Sequence, residues 1–100
     1  MRRSEYDISL SILKLCWTAP RLKTEIIYKC NLNFKTFKRH SKNLIERQLL
    51  VVEFNPPFGR RFSSTGLGRD FIHAMNRAVD AYNAYEKVQH ESVKQVIKQT

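Results

Sequence analysis

Asn31-Leu32-Asn33-Phe34-Lys35-Thr36-Phe37-Lys38-Arg39-His40-Ser41-Lys42-Asn43-Leu44-Ile45 is the stretch on which the fold turns. Asn tolerates the left-handed backbone that ends a helix, and it is also a strong N-cap. Asn31-Leu32-Asn33 therefore stops one helix and starts another, with Leu32 free to plug into a core between them. From Phe34 to about Arg47 the spacing predicts a helix. Phe34, Phe37, Ser41 and Leu44 fall on one face with Ile45 beside them, and Lys35, Lys38, Arg39, Lys42 and Asn43 fall on the opposite face.

Upstream, Leu22, Ile26, Ile27 and Cys30 predict a short helix from about Leu22 or Lys23 to Cys30. Before that, Ser4 is a good N-cap, with Glu5 and Asp7 well placed in a first turn. Ile8, Ile12, Leu15 and Cys16 recur at helical spacing, and Leu10, Leu13 and Trp17 make a second stripe, so this first helix should be covered on two sides. Pro20 ends or follows it. Two helices joined by so tight a turn, the second basic outside and aromatic inside, fit a helix-turn-helix.

Downstream, Leu49-Leu50-Val51-Val52-Glu53-Phe54 reads as a strand. Asn55-Pro56-Pro57-Phe58-Gly59 is a turn region, and Arg60-Arg61-Phe62-Ser63-Ser64 a return strand. Together they form a hairpin with a basic, aromatic tip, which is a wing. Thr65 caps a last helix that begins near Leu67 and meets no Pro, and no Gly after Gly68, before the C-terminus. A helix of that length is not covered by so small a head. Phe71, Ala74, Met75, Ala78, Ala81, Tyr82, Tyr85 and Val88 stay on one side at alternating spacings of three and four, the seam of a coiled coil. The expected fold is therefore mainly α with a small β-hairpin. A winged helix-turn-helix head over residues 1–66 is followed by a long dimerisation helix over residues 67–100. The dimer interface is assigned to Phe71, Met75, Ala78, Tyr82, Tyr85 and Val88.

The charge is lopsided. The chain of 100 residues carries 18 Lys and Arg against 9 Asp and Glu, a formal net charge of +9. Met1 to Phe62 holds 13 of the basic and 5 of the acidic residues, a net +8; Ser63 to Thr100 holds 5 and 4, a net +1. A polyanion is the expected partner of the first two-thirds. Nucleic acid is the first candidate and an anionic membrane surface the second; mere solubility is the bland third. The apolar positions near the N-terminus are interrupted by Glu5, Asp7, Ser9, Ser11 and Lys14, so no signal peptide is expected. No apolar run approaches the ~20 residues of a membrane span. The protein is expected to be cytoplasmic and associated with chromosomal DNA.

Several segments, in order, resemble the small archaeal winged-helix DNA-binding proteins that dimerise through an antiparallel coiled coil. Ile12-Leu13-Lys14-Leu15-Cys16 is similar to the end of that family's first helix, Leu22-Lys23-Thr24-Glu25-Ile26-Ile27-Tyr28 to the start of its second, and Cys30-Asn31-Leu32-Asn33 to its turn. Leu44-Ile45-Glu46-Arg47-Gln48-Leu49-Leu50 is similar to the recognition helix running into the wing, and Phe62-Ser63-Ser64-Thr65-Gly66-Leu67-Gly68 to the return strand and the start of the last helix. Two departures stand out: Gln48 replaces a common Lys, and the wing tip exceeds the shortest family turns.

In a winged helix the third helix enters the major groove and the wing follows the backbone or minor groove. Lys35, Lys38, Arg39 and Lys42 are assigned to the groove-facing helix, Thr36 and Asn43 to base edges or phosphates, and Arg60 and Arg61 to the wing. Arg21 and Lys23 are assigned to a flanking phosphate near the second helix's start. The plain alternatives are a solvated helix face and, for Arg60 and Arg61, a guarded strand edge.

Catalysis needs a nucleophile, base or metal held in a pocket. The sequence has no Gly-rich phosphate loop and no paired carboxylates, and His40, His73 and His90 are scattered. His40 reads as a partly buried helix residue. Cys16 and Cys30 lack companions for zinc and read as buried thiols near helix ends. No enzyme, cofactor, metal or small-molecule ligand is expected. The expected function is a dimeric, double-stranded-DNA-binding transcriptional regulator. The alternatives are a chromosome-architectural protein with little sequence preference and, more distantly, an interaction module that binds no DNA.

Overall fold

A computed structural model describes the backbone of residues 4–54, 56–57 and 59–99, and the side chains among these up to residue 84. The elements are α1 (Glu5–Thr18), α2 (Lys23–Lys29), α3 (Phe34–Glu46), β1 (Leu50–Phe54), β2 (Arg60–Ser64) and α4 (Gly66–Gln99).

Local chemistry fixes the ends of these helices. At the start of α1, the Ser4 hydroxyl accepts the Asp7 N–H at 3.0 Å while Asp7 accepts the Ser4 N–H at 3.1 Å, a reciprocal capping box. Ala19, held before Pro20, is extended and ends the helix. Helices α2 and α3 end in the same way. After α2, Asn31 takes φ 54°, its N–H donates to Tyr28 O, and the Leu32 N–H donates to Ile27 O at 2.9 Å. After α3, Gln48 takes φ 63°, its N–H donates to Ile45 O, and the Leu49 N–H donates to Leu44 O at 3.0 Å. Both are Schellman motifs, and each turns an apolar residue (Leu32 or Leu49) back toward the helix it leaves. Asn33 then caps α3, its side-chain oxygen accepting the Thr36 N–H at 2.7 Å. The Asn31-Leu32-Asn33 segment thus does both jobs expected of it.

β1 and β2 pair antiparallel, Leu50 opposite Ser64 through Phe54 opposite Arg60. Arg21 adds a short third rung: its N–H donates to Phe62 O and its O accepts the Phe62 N–H, at 2.9 and 2.8 Å. The linker after α1 is thereby stitched to the hairpin. The core lies where the three helices meet β2: Ile12, Leu13, Cys16, Ile26, Cys30, Phe37, Leu44, Leu49, Leu50, Phe62 and Ile72 are buried. Phe37 and Phe62 meet edge to face, with centroids 5.4 Å apart.

Three sequence expectations need correction. Phe34, placed on the inner face of α3, is 55% exposed: it stands at the first turn, before the helix has swung its apolar side inward. Trp17, placed in a covered stripe, is 46% exposed because α1 ends one residue later; the Arg69 guanidinium lies over its ring. His40, expected to be partly buried, is fully buried.

The first turns of α4 pack on the head. The Thr65 hydroxyl accepts the Gly68 N–H and donates to Gln48 O, and Gly68 lies against the Leu49 carbonyl. Ile72 is buried, with Phe71 partly buried beside it. From Asn76 to Ala84 every residue is exposed. Among the described residues no helix is long and apolar enough to cross a membrane.

Candidate nucleic-acid interface

Burying Phe37, His40, Ser41 and Leu44 fixes the rotation of α3. With that side inward, Lys35, Lys38, Arg39 and Lys42 all lie on the exposed side. The expected basic face therefore exists as a surface, on a helix held by a cap at one end and a Schellman turn at the other.

Thr36 is half-buried at the helix start, and Asn43 is exposed on the flank, its side-chain oxygen accepting the Arg47 Nε–H at 2.7 Å. Lys23 sits with its Nζ 4.9 Å from the centroid of the Phe34 ring, joining the start of α2 to the first turn of α3. Leu22, Lys23, Thr24, Arg60 and Phe62 line one open cleft of about 330 Å³ between α2 and the hairpin. The structure thus brings Lys23 and Arg60 together. Arg61 pairs across the strands with Glu53, and successive strand residues face opposite ways, so it points to the other side of the hairpin from Arg60.

Arg21 is engaged inside the protein. Its Nε donates to Leu15 O at 3.2 Å, its Nη2 to the Thr18 hydroxyl at 2.7 Å, and its Nη1 lies 3.6 Å from Glu25. Its guanidinium satisfies the C-terminal turn of α1, where carbonyls lack intrahelical donors. The sequence pointed to a free phosphate grip here; the side chain instead ties α1 to α2.

Arg39 has a partner that no local sequence pattern announces. Its Nη1 donates to both Glu5 oxygens, at 2.8 and 2.9 Å, across 34 positions of chain. The Arg39 guanidinium holds the Glu5 carboxyl below its ordinary value. The same Glu5 Oε2 lies 3.2 Å from His40 Nε2, although too far off line for a hydrogen bond, so that buried nitrogen has no hydrogen-bond partner among the described residues. His40 Nδ1 meets the Ser9 hydroxyl at 3.2 Å. Burial pushes the His40 imidazole below its ordinary value and outweighs the opposite pull of Glu5, keeping the ring neutral near pH 7.

Cys16 and Cys30 are buried, and burial pushes the Cys16 thiol up to about 12. Such a thiol is a poor nucleophile and metal ligand.

Of the residues assigned to a dimer seam, Phe71 is half-buried against its own head and Met75 is half-exposed, while Ala78 and Tyr82 are exposed. Tyr85 and Val88 lie outside the described side chains. The sequence reading missed Gly68 and Ile72, which dock α4 on the head; their spacing of four residues was the available signal.

The fold has close counterparts in shape. The chain superposes on Sso10a-2, a DNA-binding protein from Sulfolobus solfataricus, with a TM-score of 0.68 and 19% identity, over 89% of this chain and 95% of that one. It superposes on MepR of S. aureus, solved in complex with DNA, with a TM-score of 0.68 and 14% identity, over 98% of this chain and 81% of that one. No curated protein sequence matches at a significant level. The family model described as winged helix-turn-helix matches residues 2–82, a span that takes in α1, α2, α3 and the wing. With three helices, a two-stranded wing and that match over most of its length, this chain belongs to the winged helix-turn-helix family.

Proposed function

We propose that this protein binds double-stranded DNA as a homodimeric transcriptional regulator, with α3 in the major groove and the β1–β2 wing along the backbone. The observation that carries this reading is the exposed row Lys35, Lys38, Arg39 and Lys42 on one face of a rigidly ended helix. Cations so arranged neutralise phosphates and release counterions. Lys23 and Arg60 form a second grip beside the first turn of α3, and Arg61 a third on the other side of the wing. Thr36 and Asn43 are the polar side chains on the flank of α3 assigned to base edges or phosphates. Arg21 serves the interface indirectly, holding the α1–α2 corner in place. That Sso10a-2 is a DNA-binding protein and MepR was solved with DNA supports the assignment.

For the dimer, the support is apolar surface left open on α4: Val79 is 49% and Tyr82 68% exposed on a helix of 34 residues. A second copy would cover that side through Phe71, Met75, Ala78, Tyr82, Tyr85 and Val88.

The test is binding-site selection from random duplexes, followed by affinity for the selected and a random sequence at one salt concentration. A regulator prefers its site by a factor of about a thousand or more. A ratio near one would turn the reading to an architectural protein, and no binding in dilute salt would refute DNA binding. Sedimentation of the full chain as a monomer at micromolar concentration would refute the dimer.

A further inference from the structure

We propose that Glu5 is a specificity-determining residue: from the first turn of α1 it restrains Arg39, so that this one cation of the α3 face stays out of indiscriminate phosphate contact. The inference rests on the reading that α3 binds DNA.

The four cations of the face are not equivalent. Among the described residues Lys35, Lys38 and Lys42 have no ion pair and are free to meet any phosphate. Arg39 alone has an opposing charge, and Glu5 holds it through both carboxylate oxygens. Glu5 is itself held in place. It occupies the first position of a helix whose N-terminus is locked by the Ser4–Asp7 capping box, and its Oε2 also faces His40 on α3. The pair therefore bridges two elements that the core keeps at fixed separation.

An exposed ion pair is weak in water, and Glu5 and Arg39 are 63% and 59% exposed. Near DNA it gains leverage. A phosphate that recruits Arg39 through Nη1 must break both hydrogen bonds, and one that takes Nη2 or Nε instead lies close to the Glu5 carboxylate, so either contact yields little. A base edge that offers two acceptors, as guanine O6 and N7 do, gives the guanidinium a paired contact to replace the one it leaves. Restraint of this kind lowers affinity for arbitrary sequence more than affinity for the right one, which is discrimination.

The test uses the full chain in four forms: wild type, Glu5→Gln, Arg39→Ala and the double variant. Binding to a random duplex is followed by fluorescence anisotropy across a KCl series, with melting temperatures recorded alongside. Releasing Arg39 adds one phosphate contact, so Glu5→Gln should steepen the slope of log K against log[salt] by about 0.9. It should also bind random duplex more tightly than wild type. In the Arg39→Ala background the same substitution should leave the slope unchanged. A purely structural role for Glu5 would move the melting temperature and not the slope. An unchanged slope in Glu5→Gln overturns the proposal, as does an equal steepening with Arg39 absent, since Glu5 would then act by its charge alone. If none of the four proteins binds duplex in dilute salt, DNA binding itself fails and this inference falls with it.

Discussion

Gly68→Ala is a one-carbon change at the joint between head and long helix, and two opposing effects decide its outcome. An added Cβ would overlap the Leu49 carbonyl oxygen and sit 3.3 Å from its carbon and 3.5 Å from Leu13 Cδ2. The obstruction is backbone and cannot swing aside as a side-chain tip would. Leu49 O also accepts the Thr65 N–H at 3.0 Å, and Thr65 caps α4, so relief of the clash loosens the cap. Overpacking of this kind costs about 1–3 kcal/mol. A weakened backbone hydrogen bond adds about 0.5–1.5 kcal/mol. Against these, exchanging Gly for Ala in a helix gains at most about 1 kcal/mol. The net is a loss of about 0.5–3.5 kcal/mol, equivalent to a fall in Tm of roughly 2–28 °C for a domain of this size. Thermal melting by circular dichroism measures it directly. A Gly68→Ala protein as stable as wild type would show that α4 does not pack against the Leu49 carbonyl as described.

Gln48→Gly should act in the opposite sense: Gln48 ends α3 at φ 63°, where a side chain is disfavoured, so glycine should raise stability by about 1 kcal/mol. An unchanged or lower urea midpoint would contradict this. Acid should destabilise the head in two steps. The folded-state value of His40 lies below its ordinary 6.5, so the unfolded chain takes up the proton first and stability falls as pH drops through that value. The depressed Glu5 adds a second fall below its ordinary 4.5. Tm against pH should show both, and His40→Gln should remove the first and keep the second. A wild-type Tm that is flat from neutral pH down to the Glu5 step would refute the burial of a neutral His40.

What could be read in advance was what nearby residues decide. Ser4 with Asp7, and Asn31 with Asn33, fix helix ends through contacts three to five positions apart, so their effect survives in a linear pattern. The inward row Phe37, Ser41 and Leu44 likewise set the rotation of α3, and with it the basic face. Hidden from the sequence were contacts made by chain closure. Glu5 meets Arg39 only because α1 and α3 share a core, and Arg21 turns inward only because α1 ends beside it. Phe34 keeps the helical phase of a core residue but stands beyond the edge of the core, a matter of where a neighbour stops rather than of periodicity. The apolar stripe of α4 looked continuous, yet its first residue, Phe71, packs partly on the head beside Ile72, while Val79 and Tyr82 remain uncovered.

The outer face of α3 is proposed to meet DNA phosphates. This contact is tested most directly by the salt dependence of duplex binding for wild type and for Lys35→Ala/Lys38→Ala/Lys42→Ala, three exposed substitutions that leave the core untouched. The slope of log K against log[salt] should be shallower by about 2.7 in the triple variant, about 0.9 for each lost contact. Equal slopes, with both proteins folded and bound, would place the DNA on some other face of the protein.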